Sequence, residues 1–369
     1  SLRGKVLGDL TTEVATSVIT KLEEQAVSGA WNAVASAEAN QWSSVGYGGG
    51  KFVAVSITGN NRVMYSADGL SWTAVASAEN NQWRSVTYGN GKFVAVSIDG
   101  TNQVMYSADG ISWTSASAPA VANWASVTYG NDKFVAVAYS GGGNRIMYST
   151  DGITWTGSNA PQANTWNSVF YGTPSTGTNA GVGMFVAVAG EGSNQSMYST
   201  DGISWTAGGT TSISQWQSVT YGDGKFVAVA STGTTRAMSS TDGINWTGRI
   251  QTEDNSWKSV TFGKGTFIAV SQDGTNRVMY SADGFSWTSA VASEANSWKD
   301  VVYGDGKFLA VSSGGTNQVM WSYTGTGLDG TEQVLTLTDT SGLSSINQGD
   351  VVVQNSGGTP VTTAITNVS

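Results

Sequence analysis

The chain repeats one pattern of apolar and polar positions along most of its length. In the copy that begins at Trp83 the text is WRSVTYGNGKFVAVSIDGTNQVMYSADGISWT. It contains four short apolar or β-branched runs separated by Gly, Asn and Asp. Such runs are typical of β-strands, and the Asn-Gly and Asp-Gly pairs are typical of tight hairpin turns. The pattern therefore predicts four antiparallel strands, here named A to D, in each copy.

The tryptophan that opens the pattern marks the copies. It occurs seven times, at Trp42, Trp83, Trp124, Trp166, Trp216, Trp257 and Trp298. The spacing is 41 or 42 residues, except in the fourth copy, where a small polar insertion (173–183) lengthens it to 50 and is expected to form a surface loop. A four-stranded unit that recurs every 40–45 residues or so is the signature of a propeller blade. The predicted fold class is all-β, a seven-bladed β-propeller.

The phase of the repeat predicts how the ring closes. Six copies end in a D strand that begins with Trp-Thr, whereas the seventh copy loses the pattern after Ser322. Residues 29–38 match the D-strand text around Trp72. We expect this segment to supply the outermost strand of the last blade, because a closed ring leaves only short strand edges exposed. The predicted propeller thus spans residues 29–323.

Two terminal segments lie outside the repeat. Residues 1–28 place Leu10, Val14, Val18 and Leu22 on one face of a predicted amphipathic helix, which needs a surface to bury that face. Residues 324–369 contain β-branched runs and predict a small β module with limited stability of its own. Both segments are expected to attach the propeller to partner proteins in an oligomeric assembly.

Composition narrows the chemistry that the chain can perform. There is no His and no Cys, which excludes Ser-His-Asp and Cys-His nucleophilic sites, thiolate metal sites and most zinc sites. The net charge of −9 argues against binding to a nucleic-acid backbone, and no apolar run reaches the length of a membrane span. We expect no cofactor, no metal, no nucleic-acid partner and no insertion into a membrane.

Each of the first six copies carries the text Ser-x-Asp-Gly-x-x-Trp between strands C and D. The aspartates are Asp68, Asp109, Asp151, Asp201, Asp242 and Asp283. This text resembles the Asp-box, or bacterial neuraminidase repeat, of sialidase-type propellers, although it has one residue fewer between Asp and Gly. The resemblance covers all six intact blades and is specific for a fold, not for an activity. We expect these aspartates to be structural, each accepting backbone N–H groups of its own turn.

Polar side chains recur in the D–A and B–C loops, which share one face of a propeller. The candidate ligand-binding residues on this polar rim are Arg62, Arg145, Arg236, Arg277, Glu38, Glu79, Glu253, Glu294, Asn81 and Asn255. Planar donors and acceptors of this kind suit hydroxyl-rich ligands such as glycans. The alternative is that the arginines and glutamates only pair as surface ions.

One position differs strongly between copies, and differing positions are where function is expected. The residue that follows the opening tryptophan is Ser43, Arg84, Ala125, Asn167, Gln217, Lys258 or Lys299.

A glycosidase needs two carboxylates that converge across one bond, and a sialidase needs an arginine cluster as well. The arginines and glutamates of the rim instead repeat around a ring, so we expect no enzymatic activity.

The C-terminal segment points to a biological setting. Residues 334–339 (VLTLTD) and 348–353 (QGDVVV) resemble β modules in structural proteins of marine tailed phages, and the acidic, Gly- and Ser-rich composition is similar to that of phage fibre and capsid-decoration proteins. The resemblance implies a virion appendage whose terminal segments bind other virion proteins and whose propeller attaches to the host surface or to a cell-surface glycan. The alternative is a secreted bacterial propeller, either lectin-like or a degenerate sialidase.

Overall fold

The computed structural model describes residues 30–141, 144–209, 213–249 and 253–326, together with the backbone of two short strands near the C-terminus. The predicted helix (1–28) lies outside the described residues, as does most of the predicted module (324–369). Every regular element in the described part is a β-strand. That part of the chain has no helix with the length and hydrophobicity needed to cross a membrane.

The propeller has seven antiparallel sheets of four strands, in which strands A to D run from the channel to the periphery. The A strands are β2 (Trp42–Gly48), β6 (Trp83–Gly89), β10 (Ala122–Gly130), β14 (Trp166–Gly172), β18 (Trp216–Gly222), β22 (Trp257–Gly263) and β26 (Trp298–Gly304). The B strands are β3 (Lys51–Ser56), β7 (Lys92–Ser97), β11 (Lys133–Gly141), β15 (Met184–Ala189), β19 (Lys225–Ala230), β23 (Thr266–Ser271) and β27 (Lys307–Ser312).

The outer half of each blade is shorter. The C strands are β4 (Val63–Ser66), β8 (Val104–Ser107), β12 (Ile146–Ser149), β16 (Ser196–Ser199), β20 (Ala237–Ser240), β24 (Val278–Ser281) and β28 (Val319–Ser322). The D strands are β5 (Thr73–Val75), β9 (Thr114–Ala116), β13 (Thr156–Ser158), β17 (Thr206–Ala207), β21 (Thr247–Arg249), β25 (Thr288–Ala290) and, in the seventh blade, β1 (Asn32–Val34).

The seventh blade is completed by the N-terminal strand. β1 pairs antiparallel with β28, so that Asn32 lies opposite Trp321 and Val34 lies opposite Val319. The indole of Trp31 donates a hydrogen bond to the carbonyl of Gly325 at 3.2 Å, as the indole of Trp72 does to Gly69 at 3.1 Å in blade 1. This pairing agrees with the closure that the phase of the repeat predicts.

The hydrophobic core lies between neighbouring blades. Between blades 1 and 2, Val53 and Val55 of β3 pack with Trp83, Phe93 and Met105 of the next blade, and all five are at most 1% exposed. Each B strand is covered on both faces, because its blade is sandwiched between two others. This explains why the text Lys-Phe-Val-Ala-Val-Ser is continuously apolar in its centre and does not alternate.

Each A strand begins with a β-bulge. In blade 2, Trp83 pairs with Ser97 and Ser85 pairs with Val96, so Arg84 is the extra residue; the same register shift occurs in all seven blades. A bulge leaves one residue unpaired and redirects its side chain. The bulged residues are the ones that differ most between copies.

Two smaller features complete the described structure. The insertion of blade 4 packs against blade 5, where the N–H of Ser175 donates to the carbonyl of Thr241 at 3.0 Å and its hydroxyl donates to Gly224 at 2.7 Å. Near the C-terminus, β29 (Val353–Gln354) pairs antiparallel with β30 (Pro360–Val361). These strands lie within the segment predicted to form the β module.

Candidate functional site

The six aspartates between strands C and D each hold together their own turn. In blade 2, one oxygen of Asp109 accepts hydrogen bonds from the N–H groups of Ile111 and Ser112 and from the hydroxyl of Ser107, each at 2.8 Å. The same three bonds form in the other five blades that carry the motif. The bonds from Ser112 and Ile111 lower the pKa of the Asp109 carboxyl to about 2.

Blade 7 keeps the same type of turn without an aspartate. Thr324 stands at the Asp position, Gly325 has a φ of +71° like its counterparts, and its N–H donates to the hydroxyl of Ser322 at 2.9 Å. The carbonyl of Gly325 is then the acceptor for Trp31. The turn therefore positions the closing strand even though its text departs from the repeat.

In blades 2 to 7 the Arg or Gln before strand C ties the blade to the start of the next one. Arg277 donates to the carbonyl of Asn296 at 2.7 Å, Arg145 donates to that of Asn164 at 2.6 Å, and Arg236 donates to that of Asn255 at 2.9 Å. The glutamines do the same, and Gln318 reaches the carbonyl of Asn40 at 2.7 Å across the closure of the ring. The guanidinium of Arg62 donates to Gly59 within its own loop at 3.0 Å.

The Glu and Asn residues of the rim bind the D–A loop to the B–C loop. Glu79 accepts from the side chain of Asn102 at 2.6 Å, and Asn81 donates to the carbonyl of the same residue at 2.7 Å. Equivalent bonds are made by Glu38 to Asn61, by Asn255 to Asn276, by Glu253 to Asn276, and by Glu294 to Asn317.

The polar rim therefore has a structural use that its sequence pattern does not reveal. Its ten members are engaged by hydrogen bonds within or between blades, and they repeat around the disc without converging. None of them lines the channel cavity described next. Their role in binding a ligand stays a prediction.

A cavity of about 160 Å³ lies where the A strands begin, at the mouth of the central channel. The bulges direct two consecutive residues of each blade toward it. The outer set is Ser43, Arg84, Ala125, Asn167, Gln217, Lys258 and Lys299, and the inner set is Ser44, Ser85, Ser126, Ser168, Ser218, Ser259 and Asp300. Tyr139 of β11 completes the lining, so every lining side chain except Ala125 carries a polar group.

Three cations of the outer set lie at this mouth. Lys258 and Lys299 come from neighbouring blades and are half-buried, whereas Arg84 comes from blade 2 and is exposed. Within the described ranges none of the three forms an ion pair; the ammonium of Lys299 donates to the amide oxygen of Gln272 at 3.0 Å. Burial and the charges of Lys299 and Arg84 lower the pKa of Lys258 to about 8, against a smaller opposing effect of Asp273.

The inner set forms a hydrogen-bonded ring around the channel. In blade 1 the hydroxyl of Ser44 accepts the N–H of Val86 in blade 2 at 3.2 Å, and five further serines, Ser85, Ser126, Ser168, Ser218 and Ser259, accept from the next blade in the same way. In blade 7 Asp300 replaces the serine and accepts the N–H of Val45 at 2.9 Å, which completes the ring.

Asp300 is held by a dense set of donors. Its other oxygen accepts the hydroxyl of Ser259 at 2.6 Å and the N–H of Val301 at 2.9 Å. Burial raises the pKa of its carboxyl, and the hydrogen bonds from Ser259 and Val45 oppose that rise. The aspartate is thus a structural member of the ring, and its oxygens are occupied by these donors.

The sequence pattern shows that the outer set varies between copies, but it does not show that these residues line one cavity. The prediction did not include Asp300, although a signal exists, because the seventh copy reads Trp-Lys-Asp-Val where the others have serine at the third position. Tyr139 also has a signal, because its position differs between copies and is Ile98 in blade 2, Gly190 in blade 4 and Gln272 in blade 6. In the described ranges no group of three or more acidic, His or Cys side chains is placed to hold a metal ion.

No protein-family model matches the chain, and no curated protein sequence matches it significantly. Solved structures do match. Virginiamycin B lyase from Staphylococcus aureus superposes with a TM-score of 0.67 at 12% identity, covering 79% of this chain and 97% of that one. A catalytically inactive histidine-to-alanine variant of the same lyase, with quinupristin, also gives a TM-score of 0.67.

A second set of similar structures comes from YCF48. The structure of YCF48 bound to D1 peptide has a TM-score of 0.59 at 13% identity, covering 81% of this chain and 97% of that chain. YCF48 from Cyanidioschyzon merolae has a TM-score of 0.58 at 14% identity, covering 79% and 98%. At such low identities the similarity concerns the fold alone, and it agrees with the architecture described above: this chain is a seven-bladed β-propeller.

Proposed function

We propose that this protein is a non-enzymatic binding propeller that recognises its ligand at the mouth of the central channel. We further propose that it is a virion appendage, a tail fibre or capsid decoration, which displays this mouth for attachment to a host surface or glycan. The observation that carries the proposal is where the seven blades differ. The repeated polar residues of the rim lie apart from one another around the disc, whereas the seven bulged residues line one cavity. Some bulged residues also bond within the protein: Ser43 donates to the carbonyl of Trp83 at 2.7 Å and Asn167 to that of Trp216 at 2.8 Å.

Two observations support a role without catalysis. Asp300 is the single carboxylate among the residues that line the cavity, and its oxygens already accept hydrogen bonds. Most glycosidases need a pair of carboxyl groups across the bond. The lyase with a similar fold is catalytically inactive when a histidine is replaced by alanine, and this chain has no histidine with which to perform an equivalent reaction.

The assignment to a virion rests on the composition and on the C-terminal text. The chain is acidic, free of Cys and His, and rich in Gly, like phage fibre and decoration proteins, and residues 334–339 and 348–353 resemble modules of marine tailed-phage structural proteins. In this proposal the two terminal segments bind other virion proteins and make the propeller part of an oligomeric assembly. The channel mouth is then the surface presented outward.

An image of the protein in its natural setting tests the assignment. We expect antibody-labelled discs at fixed, symmetry-related points on purified particles. Free protein in the culture supernatant, with no label on particles, would overturn the virion role and favour the alternative of a secreted lectin-like propeller or degenerate sialidase. Release of a chromophore from aryl sialosides or other aryl glycosides by the purified chain would overturn the non-enzymatic role.

A further inference from the structure

We infer that the channel mouth binds an oxyanion, a carboxylate or sulfate group carried by an acidic glycan, between Arg84, Lys258 and Lys299. This inference rests on the proposed binding function of the same cavity and specifies its ligand. It is carried by the placement of three cationic side chains, each from a different blade, around one polar cavity.

Among the described residues, no carboxylate forms an ion pair with the cations at the mouth. Lys258 and Lys299 are half-buried and face each other and Arg84 without a carboxylate partner among the described residues. Cations in such surroundings are stabilised strongly by an incoming anion, because water screens them poorly. The lowered pKa of Lys258 reflects this unfavourable situation of burial and like charge.

The carboxylates nearby do not fill this need. Asp300 lies in the inner ring, where Ser259, Val45 and Val301 occupy its oxygens. Asp273 accepts the N–H of Ser256 at 2.6 Å and only partly offsets the repulsion felt by Lys258. The positive charge at the mouth therefore stands out against a chain whose net charge is −9, and such a local field attracts anions from solution.

The lining of the mouth is asymmetric in charge. The cations come from blades 6, 7 and 2, whereas blades 3, 4 and 5 contribute Tyr139, Asn167 and Gln217. The amide nitrogen of Asn167 already donates to the carbonyl of Trp216 at 2.8 Å, and the hydroxyl oxygen of Tyr139 accepts from Asn123 at 3.0 Å. The amide oxygen of Asn167, the hydroxyl proton of Tyr139 and the amide of Gln217 are then the groups that suit the hydroxyls of a sugar ring. A ligand with an acidic group on one side and hydroxyls on the other matches this arrangement, and a cavity of about 160 Å³ admits the acidic group with several waters.

Variants taken from the chain's own repeats test the inference without disturbing the fold. Arg84→Ser, Lys258→Gln and Lys299→Asn each introduce a residue that another blade carries at the same bulge. The matched control is Lys264→Asn, which removes a positive charge from the A–B turn of blade 6. Lys264 has a φ of +47° there, and Asn90 has 46° at the same point of blade 2.

The measurement is calorimetric titration of the full chain with galacturonate, galactose 6-sulfate, neutral galactose, inorganic sulfate and an acidic peptide. We expect both acidic sugars to bind more tightly than galactose or sulfate. Each substitution at the mouth should weaken them by roughly tenfold or more, the loss expected for a charge-assisted contact, whereas the control should leave them unchanged. The affinity should also fall as the pH rises through about 8, where Lys258 loses its proton.

Several outcomes would overturn the inference. If acidic sugars bind a variant that combines Arg84→Ser, Lys258→Gln and Lys299→Asn as tightly as the wild type, the site lies elsewhere. Sulfate alone binding as tightly as the sugars would indicate an adventitious ion only, and tighter binding of the acidic peptide would replace the glycan as ligand. Preferential binding of neutral galactose at the mouth would refute the oxyanion ligand, but the proposed binding function of the propeller would stand. Absence of the protein from particles is a separate result, which would refute the virion role and would leave this site untouched.

Discussion

Replacing Trp31 by alanine should weaken the closure of the ring. Trp31 is 5% exposed, packs against the core of blades 6 and 7, and donates to the carbonyl of Gly325 at 3.2 Å. It precedes β1, the one strand of its blade that is not connected to the others by a hairpin. Loss of this anchor should therefore release the N-terminal strand as well as destabilise the local core.

The magnitude follows from the buried area. An indole removes about 150–250 Å² from water, which at about 25 cal/mol per Å² corresponds to 4–6 kcal/mol. This is an upper bound, since unfolded chains already bury some surface. Truncations of buried tryptophan to alanine cost about 3–5 kcal/mol, and we expect the same for Trp31→Ala. In a domain of this size each kcal/mol lowers the melting temperature by roughly 2 °C, so the expected decrease is about 6–10 °C.

The assay combines thermal unfolding, followed by circular dichroism, with limited proteolysis by proteinase K. The matched control is Trp287→Ala, because Trp287 is 6% exposed and precedes the D strand of blade 6, which is tied covalently on both sides. Both variants should melt earlier, but only Trp31→Ala should be cleaved rapidly between residues 32 and 40. A melting temperature within 2 °C of wild type, or equal protection of residues 32–40 in the two variants, would refute the closing role of this strand.

Three further predictions concern the aspartate turns, the hydrogen-bonded ring around the channel and the bonds between neighbouring blades. The six turn aspartates have pKa values below the ordinary 3.8, so the stability they contribute is present above that pH and is lost as the pH falls through their lowered pKa values. The melting temperature should therefore fall as the pH is lowered below 3.8, and it should fall less steeply in Asp109→Asn, whose wild-type carboxyl has a pKa of about 2. In urea titrations at pH 7, Asp300→Ser should be as stable as the wild type. Asp300→Ala leaves the N–H of Val45 without an acceptor, so it should lower the free energy of unfolding by about 1–3 kcal/mol. Equal urea midpoints for the two variants would contradict the role of residue 300 in the ring. Arg277→Gln should change the free energy of unfolding by less than about 0.5 kcal/mol, because Gln318 makes the equivalent bond in blade 7. Arg277→Leu removes that bond and should lower the free energy of unfolding by about 1–3 kcal/mol. Identical losses in the two variants would show that the bond to the next blade contributes nothing.

The sequence predicts two roles for the polar rim, ligand binding or pairing as surface ions, and neither describes the contacts that its residues make in the structure. Arg277 and Glu79 recur at fixed points of the repeat and resemble a ring of ligand-binding groups. In the structure they contact Asn296 and Asn102, whose positions in the folded blade the pattern does not give. Hydrogen bonds in loops depend on which backbone groups the strands leave unpaired, and that is settled only by register.

The β-bulge at the start of each A strand also shows that the direction of a side chain depends on strand register. Arg84 lies at a variable position of the repeat, but a strand that alternates strictly would send residues 84 and 85 to opposite faces. The one-residue shift between Trp83 and Ser85 instead presents both to the channel. Because the shift recurs in every blade, it converts a variable position in the text into a continuous lining of the cavity.

What the sequence by itself determined is the local unit and its number. The apolar runs, the Asp-Gly turns and the phase of Trp31 against Trp72 are carried by contiguous residues, so they specify four strands, seven blades and the strand that closes the ring. Only the tertiary structure decided that Arg84, Lys258 and Lys299 meet. These residues are 41 to 215 positions apart in the chain, and their proximity arises because seven blades close around one axis, which no local pattern encodes.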